Sequence, residues 1–201
     1  QQIIRVLGHE IRNSLTPVIG MAENLAVKLT GPRQAQALNV ISERCNHLNE
    51  FVTRYGDINK ALSLNIITID SKAFFNQVCA IYPDVEFTRS INCSTFNADR
   101  TFLHQVIINL IKNAIEASSC PVKIALEIRT QNEVNCIAIT DNGHGLANPD
   151  NIFVPFYTTK HQGQGIGLSF CRNVIEQHNG SLSLANRDDS KGAVATILLP
   201  I

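Results

Sequence analysis

Over the first 62 residues the apolar side chains keep a helical period, and beyond Asn65 they lose it, so one chain must build two unlike folding units. Ile3, Ile4, Leu7, Ile11, Leu15, Val18, Ala22, Leu25 and Leu29 recur mostly at steps of three and four, the spacing that lines one face of a long α-helix. Thr30, Gly31 and Pro32 then supply a stop, a tight connection and a favoured first helical residue. Leu38, Ile41, Cys45, Leu48, Val52, Tyr55 and Leu62 trace a second stripe, which predicts an antiparallel pair of helices. A lone pair cannot cover both stripes. A partner hairpin is therefore expected, and a four-helix homodimer is the economical solution.

From Asn65 onward, short β-like runs at Ile66–Ile69, Val85–Arg89, Val122–Thr130, Val134–Thr140, Ser181–Ala185 and Ala193–Leu199 alternate with helical stretches. The helical stretches fall at about Ser71–Tyr82, Asp99–Ser118 and Gly165–His178, and together the pattern predicts an α/β sandwich. The two units join near Asn59 to Leu64. Gly143 to Gly165 is rich in Gly, Pro and Asn and has little periodicity, which predicts a long functional loop, read here as a mobile lid.

Composition narrows the function classes. Lys and Arg number 17 and are balanced by 17 Asp and Glu, with pI near 7.1, so no excess charge favours nucleic acid or an anionic membrane surface. A phosphate ligand must then be held by local geometry. The six cysteines, Cys45, Cys79, Cys93, Cys120, Cys136 and Cys171, are scattered without a CxxC, which suggests neither a zinc site nor a disulfide framework. A reducing cytoplasm fits such thiols. No segment approaches the roughly 18 uninterrupted apolar residues of a membrane span, and no signal peptide opens the chain. The start inside a helical pattern, without Met, is expected of an excised, soluble fragment preceded by a membrane or sensory part.

Four constellations bear chemistry. In Gly8-His9-Glu10-Ile11-Arg12-Asn13-Ser14-Leu15-Thr16-Pro17, helical spacing puts His9, Asn13 and Thr16 on one face and Ile11, Leu15 and Val18 on the core side. An exposed neutral imidazole is a good nucleophile toward phosphorus, and the Glu10 carboxylate could orient it and take its proton. Pro17 cannot donate to the Asn13 carbonyl, so the helix is expected to weaken or kink there. Taken alone, the same residues read as a surface histidine beside an acid. On the apolar run Gln105 to Ala117, Asn109, Asn113 and Glu116 form one polar stripe. Amide oxygens are suitable hard ligands for Mg²⁺, completed by waters and nucleotide phosphates, and Lys112 could reach those phosphates. The alternative is a solvated helix face.

Asp141-Asn142-Gly143-His144-Gly145-Leu146 directly follows a strand-like run. A carboxylate there, beside Gly143 and Gly145, can accept from the exocyclic amine of adenine, or it can simply belong to a turn. Gly163-Gln164-Gly165-Ile166-Gly167-Leu168-Ser169 leads into the last helix. Unpaired N–H groups and the helix dipole favour phosphate oxygens at such a place, the alternative being a flexible loop. The motif lacks the upstream strand of a Rossmann fingerprint and the Lys-Ser/Thr of a P-loop.

In this order the motifs resemble the dimerisation-phosphotransfer and catalytic ATP-binding regions of sensor histidine kinases, over nearly the whole chain. His9 to Pro17 resembles the H box, Asn109 to Ala117 the N box, Asp141 to Gly145 the G1 box, Phe153 to Lys160 the F box and Gly163 to Gly167 the G2 box. The resemblance implies a multidomain α and α+β fold. Residues 1–62 would be the helical hairpin of a dimeric four-helix bundle, and residues 63–201 an ATP-binding α/β sandwich of the GHKL (Bergerat) type.

The family's roles carry over by position. The resemblance implies His9 as phosphoacceptor, Glu10 as its acid/base partner, and Asn13 as the residue that helps position water for dephosphorylating a response regulator. Asn113 resembles the Mg²⁺ ligand with Asn109 nearby, Asp141 the adenine-binding acid and Thr196 a second adenine contact. Lys112, Tyr157, Lys160, Gly163, Gly165, Gly167 and Leu168 are implied neighbours of the nucleotide. Gyrase, Hsp90 and MutL-type ATPases share the ATP-binding fold but place a water-activating Glu where Asn109 stands. This chain is therefore expected to hydrolyse ATP poorly and to favour transfer to a protein nucleophile.

The implied cofactors are ATP and Mg²⁺, and the implied partners are a second copy of the chain and the receiver domain of a response regulator. No nucleic acid is expected. The implied setting is the cytoplasmic side of a bacterial inner-membrane sensor. Two rival readings remain at this stage: a conformational ATPase of the gyrase/Hsp90 type, and an ATP-binding scaffold that serves only as a phosphatase cofactor.

Overall fold

The structure, a computed structural model, describes residues 2–28, 34, 36, 38–46, 62–147, 149–155, 165–188 and 191–201, with side chains from residue 11 onward except 12, 26–28 and 150. The chain forms two compact units, Gln1–Lys60 and Ala61–Ile201. In the first, helix α1 (Gln2–Lys28) runs on through Pro17. A second helix, α2, includes residues 38–46. Ala22 is buried, whereas Ile11, Val18, Met21, Leu25, Val40 and Ile41 are exposed, so a single copy leaves much of the apolar stripe in water. Leu48, Val52 and Tyr55 of the second stripe lie outside the described residues. Among the described residues no helix is long and apolar enough to cross a membrane.

The second unit is a two-layer sandwich. Its main sheet joins β2 (Glu86–Asn92), β4 (Lys123–Gln131), β5 (Val134–Asp141), β7 (Ala193–Pro200) and β6 (Ser181–Asn186), in that spatial order. Only β2 and β4 run parallel. Alternate residues Ile124, Leu126 and Ile128 of β4, Ile137 and Ile139 of β5, and Ala195, Ile197 and Leu199 of β7 line one buried face. Helices α3 (Ser71–Ala80), α4 (Arg100–Ala117) and α5 (Gly167–Gln177) contribute the rest of that core. Helix α4 buries Leu103, Val106, Ile107, Leu110, Ile111 and Ala114, the three- and four-residue steps of a stripe facing a sheet.

A second, two-stranded sheet pairs β1 (Ile66–Asp70) with β3 (Thr95–Asp99). The sequence pattern does not reveal β3. Three of its five residues are polar, and it is a strand because β1 supplies its ladder while Phe96 and Ala98 enter the core. Asp99 likewise ends β3 and caps α4, where the pattern predicts it as a helical residue. Its Oδ1 accepts from Thr101 N and Phe102 N, each at 3.0 Å, and its Oδ2 from Asn65 N at 2.8 Å.

Burial pushes the Asp99 carboxyl up, but the hydrogen bonds from the Phe102, Asn65 and Thr101 amides outweigh it, leaving the pKa below its ordinary value. Such a group stabilises the fold above its unfolded pKa of about 3.9 and loses that contribution as pH falls through the lower folded value. Asp99→Ala is therefore expected to cost about 2–3 kcal/mol at pH 7 from the lost cap and the stranded Asn65 N–H. In urea titrations the gap from wild type should hold down to about pH 4 and narrow below it; a gap independent of pH would refute the ionised cap.

Candidate functional site

Asp141 ends β5 next to the start of β7, because the two strands are antiparallel neighbours. The side chain is 7% exposed, and its Oδ1 accepts from Gly143 N at 2.8 Å and from Ala193 N at 3.1 Å. Two backbone donors thus fix the carboxylate plane. Gly192, just before β7, has φ +126°, and a Cβ there would fall 2.1 Å from the Asp141 carbonyl oxygen. Gly192→Ala combines backbone strain with a clash against unyielding main chain and is expected to cost roughly 3–5 kcal/mol. Its thermal midpoint should fall by about 10 °C; a midpoint within about 2 °C of wild type would show that this turn relaxes freely.

The glycines after Asp141 have packing duties. A Cβ on Gly143 would stand 2.7 Å from the Ala117 carbonyl oxygen at the end of α4, and His144 N donates to that oxygen at 3.0 Å. Gly145 has φ +81°, and a Cβ there would meet Asn186 Oδ1 at 2.7 Å. Asn186, at the end of β6, accepts from Leu146 N at 2.6 Å and donates to Leu146 O at 3.1 Å. Asn142 receives Lys123 N at 3.0 Å and donates to Pro121 O at 2.9 Å. Sequence reasoning misses Asn186, the residue that moors the start of the loop; a lone Asn before a turn is too common a signal to single out.

Helices α4 and α5 lie antiparallel. His178 Nε2, just past α5, accepts from Asp99 N at the start of α4 at 3.0 Å. Midway, Cys171 Sγ donates to Val106 O at 3.8 Å and is hydrogen-bonded by Asn109. Burial pushes the Cys171 thiol up to about 12, with the Asn109 contact opposing, as a donor to sulfur does, so Cys171 is a core thiol. The N-terminus of α5 consequently lies beside the second half of α4, the end on which Gly143 and His144 dock.

Half-buried Asn113 stands in that half, one turn from Asn109. Lys112 and Glu116 are an exposed pair 3.9 Å apart, a contact too solvated to hold Lys112 firmly. Helix α5 opens at Gly167 after Ile166, whose side chain cannot cap it; the helical ladder starts with Phe170 N donating to Ile166 O at 2.9 Å. Gly165 has φ +64°, and nothing lies within 4 Å of where a Gly167 Cβ would stand. Leu168 packs its side chain on the core, and its backbone N–H, in the first turn of α5, has no partner within the helix.

Thr196 requires a correction. It pairs with Ala138, while Ile137, Ile139 and Asp141 alternate with Ala138 on the other face of β5. Thr196 therefore stands on the face of the sheet opposite Asp141, and strand parity removes it from the site. Tyr157, Lys160 and Gly163 lie outside the described residues. The loop before them contains a 3₁₀ turn at Pro149–Asn151, and Phe153 packs on the core under the Arg172 guanidinium, 4.4 Å from its ring centroid. In the first unit, His9 and Glu10 belong to α1, their side chains outside those described, and Asn13 is exposed on it.

Residues 98–201 match the family described as histidine kinase-, DNA gyrase B-, and HSP90-like ATPase, and residues 1–61 match the His Kinase A (phospho-acceptor) domain. The sensor histidine kinase ZraS of Escherichia coli (strain K12) is 30% identical over 97% of this chain and 44% of its own length. The chain thus spans less than half of the curated relatives it first matches. The solved catalytic domain of histidine kinase ThkA superposes with a TM-score of 0.62 at 28% identity, covering 68% of this chain and 96% of that one. ThkA in complex with response regulator protein TrrA gives 0.63 at 25% identity, over 100% and 61%.

Proposed function

Because the chain belongs to the histidine kinase-, DNA gyrase B-, and HSP90-like ATPase family and carries a His Kinase A phospho-acceptor domain ahead of it, we propose that it is the core of a two-component sensor histidine kinase that transfers the γ-phosphoryl group of ATP to His9. The observation that carries this reading is the convergence at one end of the α4–α5 pair. The Asn stripe lies in the second half of α4, α5 starts beside that half, and the loop leaving Asp141 docks on Ala117 at its end, which supports the reading.

Asp141 Oδ2 accepts from the adenine amine while Oδ1 stays on its two backbone donors. The first N–H groups of α5 hold phosphate oxygens, aided by the helix dipole, and Lys112 leaves its exposed ion pair to join them. The donor set suits Mg²⁺. Among the described residues no three His, Cys, Asp or Glu side chains gather, whereas Asn113 and Asn109 offer neutral amide oxygens, and Asn109 keeps its oxygen free when its amide nitrogen serves Cys171. When bound, Mg²⁺ would neutralise charge on the triphosphate. An imidazole nitrogen of His9 attacks phosphorus in line, the bond to the β-phosphate oxygen breaks with its electrons leaving on ADP, and Glu10 takes the imidazole proton. The phosphoryl group then passes to an Asp of a receiver domain, in keeping with the ThkA–TrrA complex, and Asn13 positions water for its later removal.

The exposed stripe of Ile11, Val18, Met21 and Leu25 supports pairing of two hairpins in a homodimer. The setting we propose is the cytoplasmic side of a membrane-anchored bacterial sensor, as the family resemblance implies; the curated relatives include sensor and signal transduction histidine kinases of Escherichia coli. The deciding test is incubation of the chain with γ-labelled ATP and Mg²⁺. Acid-labile, alkali-stable label on the protein is expected. Steady phosphate release without label would replace this reading by a conformational ATPase, and nucleotide binding with neither by a scaffold.

A further inference from the structure

The chain enters the second unit through Leu62 to Asn65, and that segment is clipped to both helices of the site at their far ends. Leu62 N donates to Gln177 Oε1 at 2.6 Å, in the last turn of α5, and Gln177 Nε2 is itself steadied on Asn173 Oδ1 at 2.6 Å. Asn65 N donates to Asp99 Oδ2 at 2.8 Å. Oδ1 of Asp99 already caps α4, so the second oxygen is the one given to the linker. Asp99 N donates to His178 Nε2, and a ring nitrogen that accepts there must carry its proton on Nδ1, which donates to Val174 O at 2.7 Å. Asp99 and His178 are each 6% exposed, so the junction excludes most competing water. The Leu62 side chain also packs on the core. Helices α4 and α5 are continuous from these ends to the Asn stripe and the phosphate-binding turn. The orientation of the linker is thus rigidly tied to the place where nucleotide would sit.

We propose that this clip makes Asp99 and Gln177 positioning residues for phosphoryl transfer, an inference that rests on the kinase reading. The clip fixes the direction in which the chain leaves the second unit at Leu62. Opening it adds freedom that in-line attack must remove again. The expected signature is a lower rate at saturating ATP with unchanged affinity for ATP.

The variants separate the clip from the fold. Asp99→Asn keeps an amide oxygen as the α4 cap but presents N–H₂ to Asn65 N, which breaks the linker bond alone. Gln177→Leu removes the acceptor for Leu62, and Gln177→Glu restores one. In the full chain with γ-labelled ATP, Asp99→Asn and Gln177→Leu are expected to slow labelling at saturating ATP by roughly three- to tenfold. Titration with a fluorescent ATP analogue should stay within about twofold, and Gln177→Glu should recover the rate. Hydrogen exchange at the Leu62 and Asn65 amides should quicken in step with the slowed variants. An unchanged or raised rate, or a loss carried by nucleotide affinity, overturns the proposal. If the wild type takes no label, the kinase reading falls and the positioning role with it, while slow exchange at those two amides would still establish the clip itself.

Discussion

His9→Gln is expected to abolish acid-labile label on the chain, by more than about 100-fold, while ATP affinity stays within about twofold. Glutamine is a good helix former of similar reach, so α1 should persist through position 9. Its amide nitrogen has no lone pair available to attack phosphorus, which removes the reaction and not the scaffold. The nucleotide residues proposed above all belong to Ala61–Ile201, whereas His9 belongs to Gln1–Lys60, so binding and chemistry should separate cleanly in this variant. Label quantified after alkali and acid treatment, alongside nucleotide titration, measures both. Undiminished acid-labile label on the variant would mean that another residue is the acceptor, and the assignment of α1 would have to be redrawn.

Asp141→Asn should reduce ATP affinity by about 2–4 kcal/mol, roughly 30- to 700-fold. Asparagine can keep an oxygen toward Gly143 N and Ala193 N, so the backbone junction survives, whereas alanine would leave both donors without their acceptor in a buried place. With the oxygen held there, the new N–H₂ takes the position of Oδ2. A donor then faces the donor amine of adenine, and an acceptor that recognised the base becomes a group that repels it. Calorimetric titration with ATP, checked by a thermal melt that stays close to wild type, reads the effect. Affinity within about threefold of wild type would show that the base is recognised elsewhere, and inverted preference for a nucleotide with a carbonyl at that position would support the contact directly.

Much of the fold is legible in the chain because short-range periodicity encodes it. The stripe from Ile3 to Leu29 predicts α1, and the run around Leu103 to Ala114 predicts α4, since each depends on neighbours within one or two helical turns. Among the described residues six of the seven strands show as apolar or alternating runs, and β3 does not, because its polar composition is overruled by pairing with β1. The polar stripe of Asn109 and Asn113 and the strand end at Asp141 are legible for the same local reason.

What the amino-acid order determines by itself is the division into a helical and a mixed unit, the helices, most strands and the positions of the motifs. Tertiary structure decides which of those residues meet. The two donors on Asp141 come from Gly143, two residues on, and from Ala193, 52 residues on, and Asn186 reaches Leu146 across 40 residues. The register of β5 against β7 sends Thr196 to the face opposite Asp141, and a slip of one residue would have reversed it. Helical faces follow from chain neighbours at a fixed 100° step, but strand parity and the approach of distant backbone are settled only when the whole sheet and its helices pack together.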